Sequence, residues 1–569
     1  MRRALALLSL VLAPAAVAQQ DGVLQLDSDL ERFLVRQQAA GRLPSAQLTH
    51  RPLAAYQAQA YLDSLAAFDS LAVRGKNGGT PLSPSDRTLL AQFRGLAPMP
   101  GAAAVHRRVG WLYGNGQDAV SVEGDGYALR FNPLANLSAG QARRTETSTQ
   151  SPTVFVYQNT RGVQASGRLG DRLFFEARVE ENQRRDARFS HHGRTSPRLA
   201  DTQNIGIQDG DSLGYDYYRV AGVLGVKTRF VELRGGRDRN VWGYGRSSLM
   251  LSNYAPSFDH VQVRAKVWRI EYTALYAALV NQAGLLNYGD QILPRSYASM
   301  HRLNVKLPAG VELEAFESVF FADDTTAARR RQGFDVAYLN PLLLLRAAEQ
   351  DRGSPDNAAI GVGAAWQTPW NTRLYGTLFL DEFDASTILK DDSWRNKWAF
   401  TVGGTVADWP VPGLMVRTEY TRIRPFVYTH YNVRNSYTHY LDLLGHPAGP
   451  NASDWMVEFD YRPMPRLAVA GTYTHTLRGR SSAATGNIGD DPLREYDNGR
   501  ILDQIPTLDG VRQTLWAAEG RIGFQALPRL WLDAMLRAES TDDAETGVNR
   551  YVAPYVSLRW GLPFESLRY

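Results

Sequence analysis

Beyond about Asp125 the chain keeps one pattern. Apolar and polar residues alternate with a period of two, in runs of about 9–12 residues, longer than the roughly 5–6 usual for strands of soluble sheets. In GVQASGRLGDRLFFEARVEEN, Val163, Ala165 and Leu169 share one face. After a tight Gly170-Asp171 turn, Leu173, Phe175, Ala177 and Val179 oppose Arg172, Glu176, Arg178 and Glu180. In VQVRAKVWRIEYTALYAAL, Val261, Val263, Ala265 and Val267 oppose Gln262, Arg264 and Lys266. In RLNVKLPAGVELEAF, Leu303, Val305, Leu307, Val311 and Leu313 oppose Arg302, Asn304, Lys306, Glu312 and Glu314. Successive strand residues point to opposite faces, so each segment predicts a strand with one apolar and one polar side. YRPMPRLAVAGTYTHTL adds a turn holding Pro463 and Pro465, where no ladder donor is lost. In the strand that follows, Leu467, Val469 and Tyr473 suit lipid, and the alanines and threonines suit a lumen wall.

The connections alternate too. Short turns fall at 170–171, 227–228, near Arg269, and at 308–310, 368–371, 408–413, 463–465 and 526–528. Between them lie longer polar stretches at 138–152, 183–216, 238–257, 281–296, 322–356, 384–396, 425–453, 478–512 and 541–549. AYLNPLLLLRAAEQ is placed in one of these outer loops, because a strand there makes the strand number odd. The reading is a mainly β chain: roughly eighteen antiparallel strands closed as a transmembrane barrel, with both ends on the short-turn side and Tyr and Trp near the strand ends as girdles.

The first hundred residues differ. MRRALALLSLVLAPAAVAQQ has Arg2 and Arg3, an apolar run and Ala16-Val17-Ala18, a secretory signal over residues 1–18. SDLERFLVRQQAAG predicts a helix capped by Ser28 with Glu31 and stopped at Gly41. A second helix is expected from Pro52, and a third from Ser83 and Pro84 with Leu89, Leu90 and Phe93 inward. These helices make either a free bundle or a cap on the strands. The segment divides as 19–104 helical and 105–569 barrel.

Composition agrees with a barrel. The chain of 569 residues carries 27 Tyr, 12 Trp and 49 Gly, and its mean hydropathy of -0.33 is too polar for a helical membrane protein. No later stretch approaches the roughly 20 apolar residues of a spanning helix. The absence of Cys excludes a disulfide framework and Cys-ligated zinc. His430, His439 and His446 share one outer loop but lack metal-helix spacing, and aromatic packing explains them better. No nucleophile–His–acid motif marks an enzyme, no phosphate cradle or other cofactor motif occurs, and nothing supports nucleic-acid binding.

The candidate binding chemistry is basic and aromatic. QRRDARFSHHGRTSPR puts Arg184, Arg185, Arg188, His191, His192, Arg194 and Arg198 in one expected outer loop, and Arg329, Arg330 and Arg331 lie in another. Solvated loops bridging lipopolysaccharide phosphates are one reading. A surface for an acidic glycan is the other, since guanidinium forks bind carboxylates and phosphates. Trp242, Tyr244, Tyr428 and Tyr431 would stack on sugar rings, although girdles use the same residue types.

GRDRNVWGYGRSSLMLSNYAPSFD, YLNPLLLL, EYTRIRPFVYTHYNVRNSYTHYLDLLGHPAGPNASDW and the N-terminal LSPSDRTLLAQFRG resemble the capsule assembly Wzi family over nearly the whole mature chain. The resemblance implies an outer-membrane barrel of eighteen strands with the N-terminal helices plugging its periplasmic mouth. It also implies a surface lectin that helps anchor capsular polysaccharide; a monomer without catalytic activity is expected. A porin or gated channel is the alternative.

Overall fold

The computed structural model describes residues 22–76, 78–145, 153–191, 207–209, 212–281, 293–322, 336–340, 345, 356–381 and 392–565. The alternating segments form eighteen antiparallel strands that close on themselves. In chain order they are β1 (Tyr127–Arg144), β2 (Thr153–Leu169), β3 (Leu173–Ala187), β4 (Ser212–Lys227), β5 (Val231–Asp238) and β6 (Phe258–Val267). Then come β7 (Ile270–Val280), β8 (Arg295–Lys306), β9 (Val311–Ala322), β10 (Asn357–Gln367), β11 (Thr372–Leu380) and β12 (Trp398–Ala407). The wall ends with β13 (Leu414–Ile423), β14 (Ala452–Met464), β15 (Leu467–Arg480), β16 (Val511–Leu527), β17 (Leu530–Asp543) and β18 (Gly547–Trp560). The seam joins β18 to β1, with Trp560 opposite Ala135 and Tyr551 opposite Arg144. A short strand, Val120–Gly124, pairs with the start of β1 and continues the wall below the end of β18.

Every expected short turn joins two neighbouring strands at one end of the barrel. The longer connections are less uniform. Residues 138–144 belong to β1 and 183–187 to β3, and β17 and β18 are joined through 544–546 only. Toward these strand ends both faces become polar, so the period-two signal fades while the ladder bonds continue. AYLNPLLLLRAAEQ does fall between β9 and β10, where Tyr338 and Leu345 pack on Val319 and Phe321.

Burial is inverted relative to a soluble protein. Val261 is 55 % exposed and its neighbour Gln262 only 1 %. Val263, Val267, Leu303, Leu307, Leu313, Val362, Ile522 and Leu536 face outward, while Arg264, Glu271, Arg302, Asn304, Glu314 and Arg417 are buried. Lipid outside and polar pairing inside account for this. The inward charges pair across strands: Arg302 with Glu314 at 2.8 Å, Arg264 with Glu271, and Arg521 and Arg559 with Asp533 at 2.7 and 3.2 Å.

The helices form as the caps require. Ser28 Oγ accepts from Glu31 N and starts α1 (Asp29–Ala39), which Gly41 terminates at φ +74°. The second helix, α2 (Ala55–Val73), begins three residues after Pro52, because residues 50–54 run extended along Val23 and along the segment at 241–242. Ser83 caps α3 (Pro84–Phe93) through Asp86 N. Leu34, Leu62, Leu65, Leu89, Leu90 and Phe93 make a common core. A fourth helix, α4 (Ala102–Arg108), crosses the expected 104/105 boundary.

The segment at 23–57 lies in the short-turn mouth and bonds around the ring. Val23 N donates to Glu176 at 3.0 Å, Tyr56 Oη to Glu232 at 2.5 Å, His50 Nε2 to Gln262 at 3.1 Å and Gln47 Nε2 to Asn304 at 3.1 Å. Thr49 reaches Glu312 at 3.3 Å, Gln367 Nε2 donates to Ala39 O at 2.7 Å, and Arg32 pairs with Asp460 at 3.1 Å. Arg36 and Arg42 meet Asp408, in the β12–β13 turn, at 2.7 and 2.5 Å. Through these bonds α1 and the chain as far as residue 57 sit as a plug in the short-turn mouth.

Candidate functional site

Two connections that sequence reasoning places on the surface fold into the bore instead. Residues 239–257, after β5, and 424–451, after β13, supply Leu249, Met250, Leu251, Val427, Tyr428, Tyr437 and Leu444, all buried. They pack on inward wall residues Phe316, Phe320 and Phe379. Tyr428 Oη donates to Leu249 O at 2.8 Å and Tyr437 Oη to Met250 O at 2.6 Å, which ties the two segments together. The reason is hydrophobic: Phe316, Phe320 and Phe379 face a bore that water would otherwise fill.

This arrangement relocates most of the expected aromatic site. Trp242 is 0 % exposed, and its short strand, Val241–Trp242, pairs with His50–Arg51 of the plug. Tyr244 is buried, donates to Glu312 O at 3.3 Å and stacks on Tyr375. Tyr428 is enclosed as described. Rings with no free face do not stack on sugars, so these three are structural. Tyr431 is half-buried, its ring 4.2 Å from His430 and 6.1 Å from Tyr496.

The histidines of this segment are buried and satisfied. His439 Nε2 donates to Ser257 O at 3.2 Å, while its Nδ1 accepts from Val280 N at 3.1 Å. Burial pushes His439 down to about 4. His446 Nδ1 accepts from Ala448 N at 3.2 Å.

The basic run divides as well. Arg184 and Arg185 are on β3, not in a loop. Arg184 faces the bore and binds Asp186 at 2.8 Å, and Arg185, next to it near the end of the strand, lines the same cavity. Arg188 begins a 3₁₀ turn, Arg188–His191. Arg194, His192, Arg198 and Arg329 to Arg331 lie outside the described residues.

Arg184 belongs to a different grouping, a cavity of about 700 Å³ in the half of the bore that the inserted segments leave open. Strands β1 to β4 and β15 to β18 wall it. Its rim holds Arg144, Arg184, Arg480 and Asp543, and its middle Tyr217, Arg219, Glu519, Arg537 and Tyr555. Arginines outnumber carboxylates in the lining. Arg480 grips Asp543 with two bonds of 2.7 and 2.8 Å, and Arg537 reaches Glu519 at 3.3 Å. The floor is the chain beyond β18, which turns back into the bore. There Glu565 meets Arg219 at 3.0 Å and Arg239 at 3.7 Å, and Phe564 lies under Arg521. The Arg219 guanidinium, ahead of an opposing burial effect, holds the Glu565 carboxyl down to about 2. Asp27 of the plug, paired with Arg246, completes the floor.

Arg219, Arg480, Arg537, Tyr217 and Tyr555 were not singled out from sequence. The signal was available: each shares the inward phase of its strand, two or four residues from another polar inward residue. Chemically, the cavity is a set of guanidinium forks and phenols held by paired acids, suited to an anionic, hydroxyl-rich ligand.

No family model matches the chain, and no curated protein matches it in sequence. Among solved structures it is similar to Wzi of Escherichia coli, an outer-membrane protein involved in group 1 capsule assembly and described as a carbohydrate-binding β-barrel. Identity is 12 %, the match covers 96 % of this chain and 100 % of that one, and the TM-score is 0.53. OccAB4 of Acinetobacter baumannii matches at 9 % identity over 76 % of this chain and 97 % of its own, with a TM-score of 0.39. OpdK of Pseudomonas aeruginosa, an outer-membrane protein, matches at 12 % identity over 75 % and 98 %, with a TM-score of 0.40. The likeness to Wzi is one of fold.

Proposed function

We propose that this plugged barrel is an outer-membrane member of the Wzi family that binds and anchors acidic surface polysaccharide, without catalysis. In this reading the long connections face the cell exterior, the plug lies at the periplasmic mouth, and the barrel works as a monomer among lipopolysaccharide and outer-membrane lipid. One observation carries the reading. The open half of the bore is an arginine- and tyrosine-lined cavity that reaches the long-connection rim and is floored by the plug and the returning C-terminal segment. Carbohydrate binding by the similarly folded Wzi supports it. Tyr431 is the remaining aromatic candidate, and Arg188 and Arg194, which follow Arg184 in sequence, stay basic candidates.

The unfilled half of the bore also favours a second reading, a channel. Planar-bilayer conductance together with glycan binding separates the two. The anchoring reading expects a silent bilayer and saturable binding of an acidic polysaccharide that weakens with salt. Replacing Arg184 and Arg480 together by Gln removes charge-assisted bonds worth roughly 1.5–3 kcal/mol each, so affinity should fall by more than about tenfold. Large steady conductance with no glycan binding would establish the channel instead.

A further inference from the structure

Helix α4 is not part of the plug inside the bore. Its Val105, with Leu112 and Trp560, the last residue of β18, packs against a small core of Ala102, Tyr113 and Ala119. Trp560 is in the outward phase of that strand, in step with lipid-facing Val556, while Ser557 and Arg559 between them are buried toward the bore. Trp560 Nε1 donates to Tyr113 Oη at 3.2 Å, and Tyr113 Oη donates to Pro528 O at 3.5 Å in the β16–β17 turn. From the bore side, Asp118 holds the following chain through Asn132 and Arg529, both at 2.9 Å. The segment therefore hooks over the short-turn rim with one end inside and the other on the lipid-facing side.

The surface of this hook that turns away from the barrel carries Arg107, Arg108 and Trp111, all exposed, Trp111 at 68 %. Neither arginine makes an ion pair among the described residues. Beside them the outward apolar band resumes with Val122, Tyr127 and Phe131, also exposed. An indole at the edge of a lipid-facing band prefers the headgroup level, and guanidinium forks match phosphate oxygens.

We propose that residues 105–111 form an interfacial foot seated in the phospholipid headgroups of the leaflet at the short-turn mouth. Trp111 lies at the boundary of water and acyl chains, and Arg107 and Arg108 bind the phosphates of anionic lipids. The partner is the membrane surface itself, because the foot is continuous with the lipid-facing wall and carries the charge that such a surface attracts.

The chain has no Cys, so Trp111→Cys gives a single labelling site in the full protein. Trp268→Cys, on the exposed β6–β7 turn, and Lys76→Cys, at the exposed end of α2, serve as references. In phosphatidylethanolamine vesicles containing phosphatidylglycerol, a polarity-sensitive dye at 111 should be blue-shifted relative to the dye at 76. Lipids with a headgroup nitroxide should quench it as strongly as the dye at 268. Adding Arg107→Gln and Arg108→Gln should reduce that quenching to the level seen in phosphatidylcholine vesicles, and high salt should act the same way. A dye at 111 that behaves like the dye at 76 overturns the proposal. So does a blue shift without lipid quenching, which would mean a protein contact. Quenching indifferent to the two arginines and to salt overturns the phosphate assignment.

Discussion

At the scale of single residues, adjacent positions meet different solvents. Val263 faces lipid, and Val263→Arg should cost about 2–4 kcal/mol near the membrane midplane. Gln262 faces inward, and from alternation alone an arginine there is expected to be silent. The structure changes that expectation. Gln262 is buried against His50 of the plug, with Arg234, Arg264 and Arg302 close by. Gln262→Arg should therefore leave the wall folded but unseat the plug, visible as faster protease cleavage near residue 50 in reconstituted protein. Asp408 gives a pH-dependent case. Burial acts to raise its carboxyl, but Arg36 and Arg42 outweigh burial and hold it below the usual carboxylate range. A depressed folded pKa contributes stability above the unfolded value, about 3.9, and loses it as pH falls through the folded one. Asp408→Asn suits the backbone, since Asn tolerates the φ of +57° there. It should weaken plug docking at neutral pH by on the order of 3 kcal/mol, the low end for a broken buried pair because Arg36 keeps Asp86. Protease accessibility of α1 measured against pH should show the gap from wild type closing below about pH 4.

At the scale of elements, the strands were legible and the connections only partly. A strand writes its environment into every second residue, so Leu467, Val469 and Tyr473 could be set against Ala468, Ala470 and Thr474 without a structure. Ser28, Ser83 and Pro84 likewise announce helix starts through local bonds. Trp242 and Tyr428 carry no comparable mark. Aromatic residues in a polar connection look the same whether they line an interface, stack on a ligand or fill a bore. What decides is the presence of Phe316, Phe320 and Phe379 on the inner wall, a long-range fact that appears in sequence only as broken alternation in FESVFF. Phe379 touches both Tyr428 and Tyr437, so Phe379→Ala should cost about 3–5 kcal/mol. The loss should appear first as proteolysis within 424–451, before the wall unfolds, in a urea titration followed by both cleavage and circular dichroism.

At the scale of the molecule, closure and plugging are separable. The wall charges pair with one another, as Arg302 does with Glu314 and Arg264 with Glu271, so a barrel lacking residues 28–96 should still assemble and insert. It should not become a wide pore. The inserted segments would still fill one half of the bore, and the floor around Glu565 would still obstruct the other. Planar-bilayer recording should find small, unsteady currents in that variant. Further removal of the chain beyond Trp560 should convert them to large steady ones. A wide pore from the first deletion alone would mean that the plug carries the whole seal.

The ladder between His50–Arg51 and Val241–Trp242 has a mechanical meaning. Residues 239–257 hang between the wall strands β5 and β6, yet they hold the plug at several points. Gly243 N bonds to Thr49 O at 2.9 Å, Arg51 to Gly245 O at 3.3 Å, Asn253 to Asp27 at 3.2 Å, and Arg246 closes on the same aspartate. Tension applied to that segment is delivered to the plug, and through Arg36, Arg42 and Asp408 to the turns at the far end of the wall. Pulled from one face of the membrane, the protein bears load along its whole length, as a through-bolt does and a surface fastener does not.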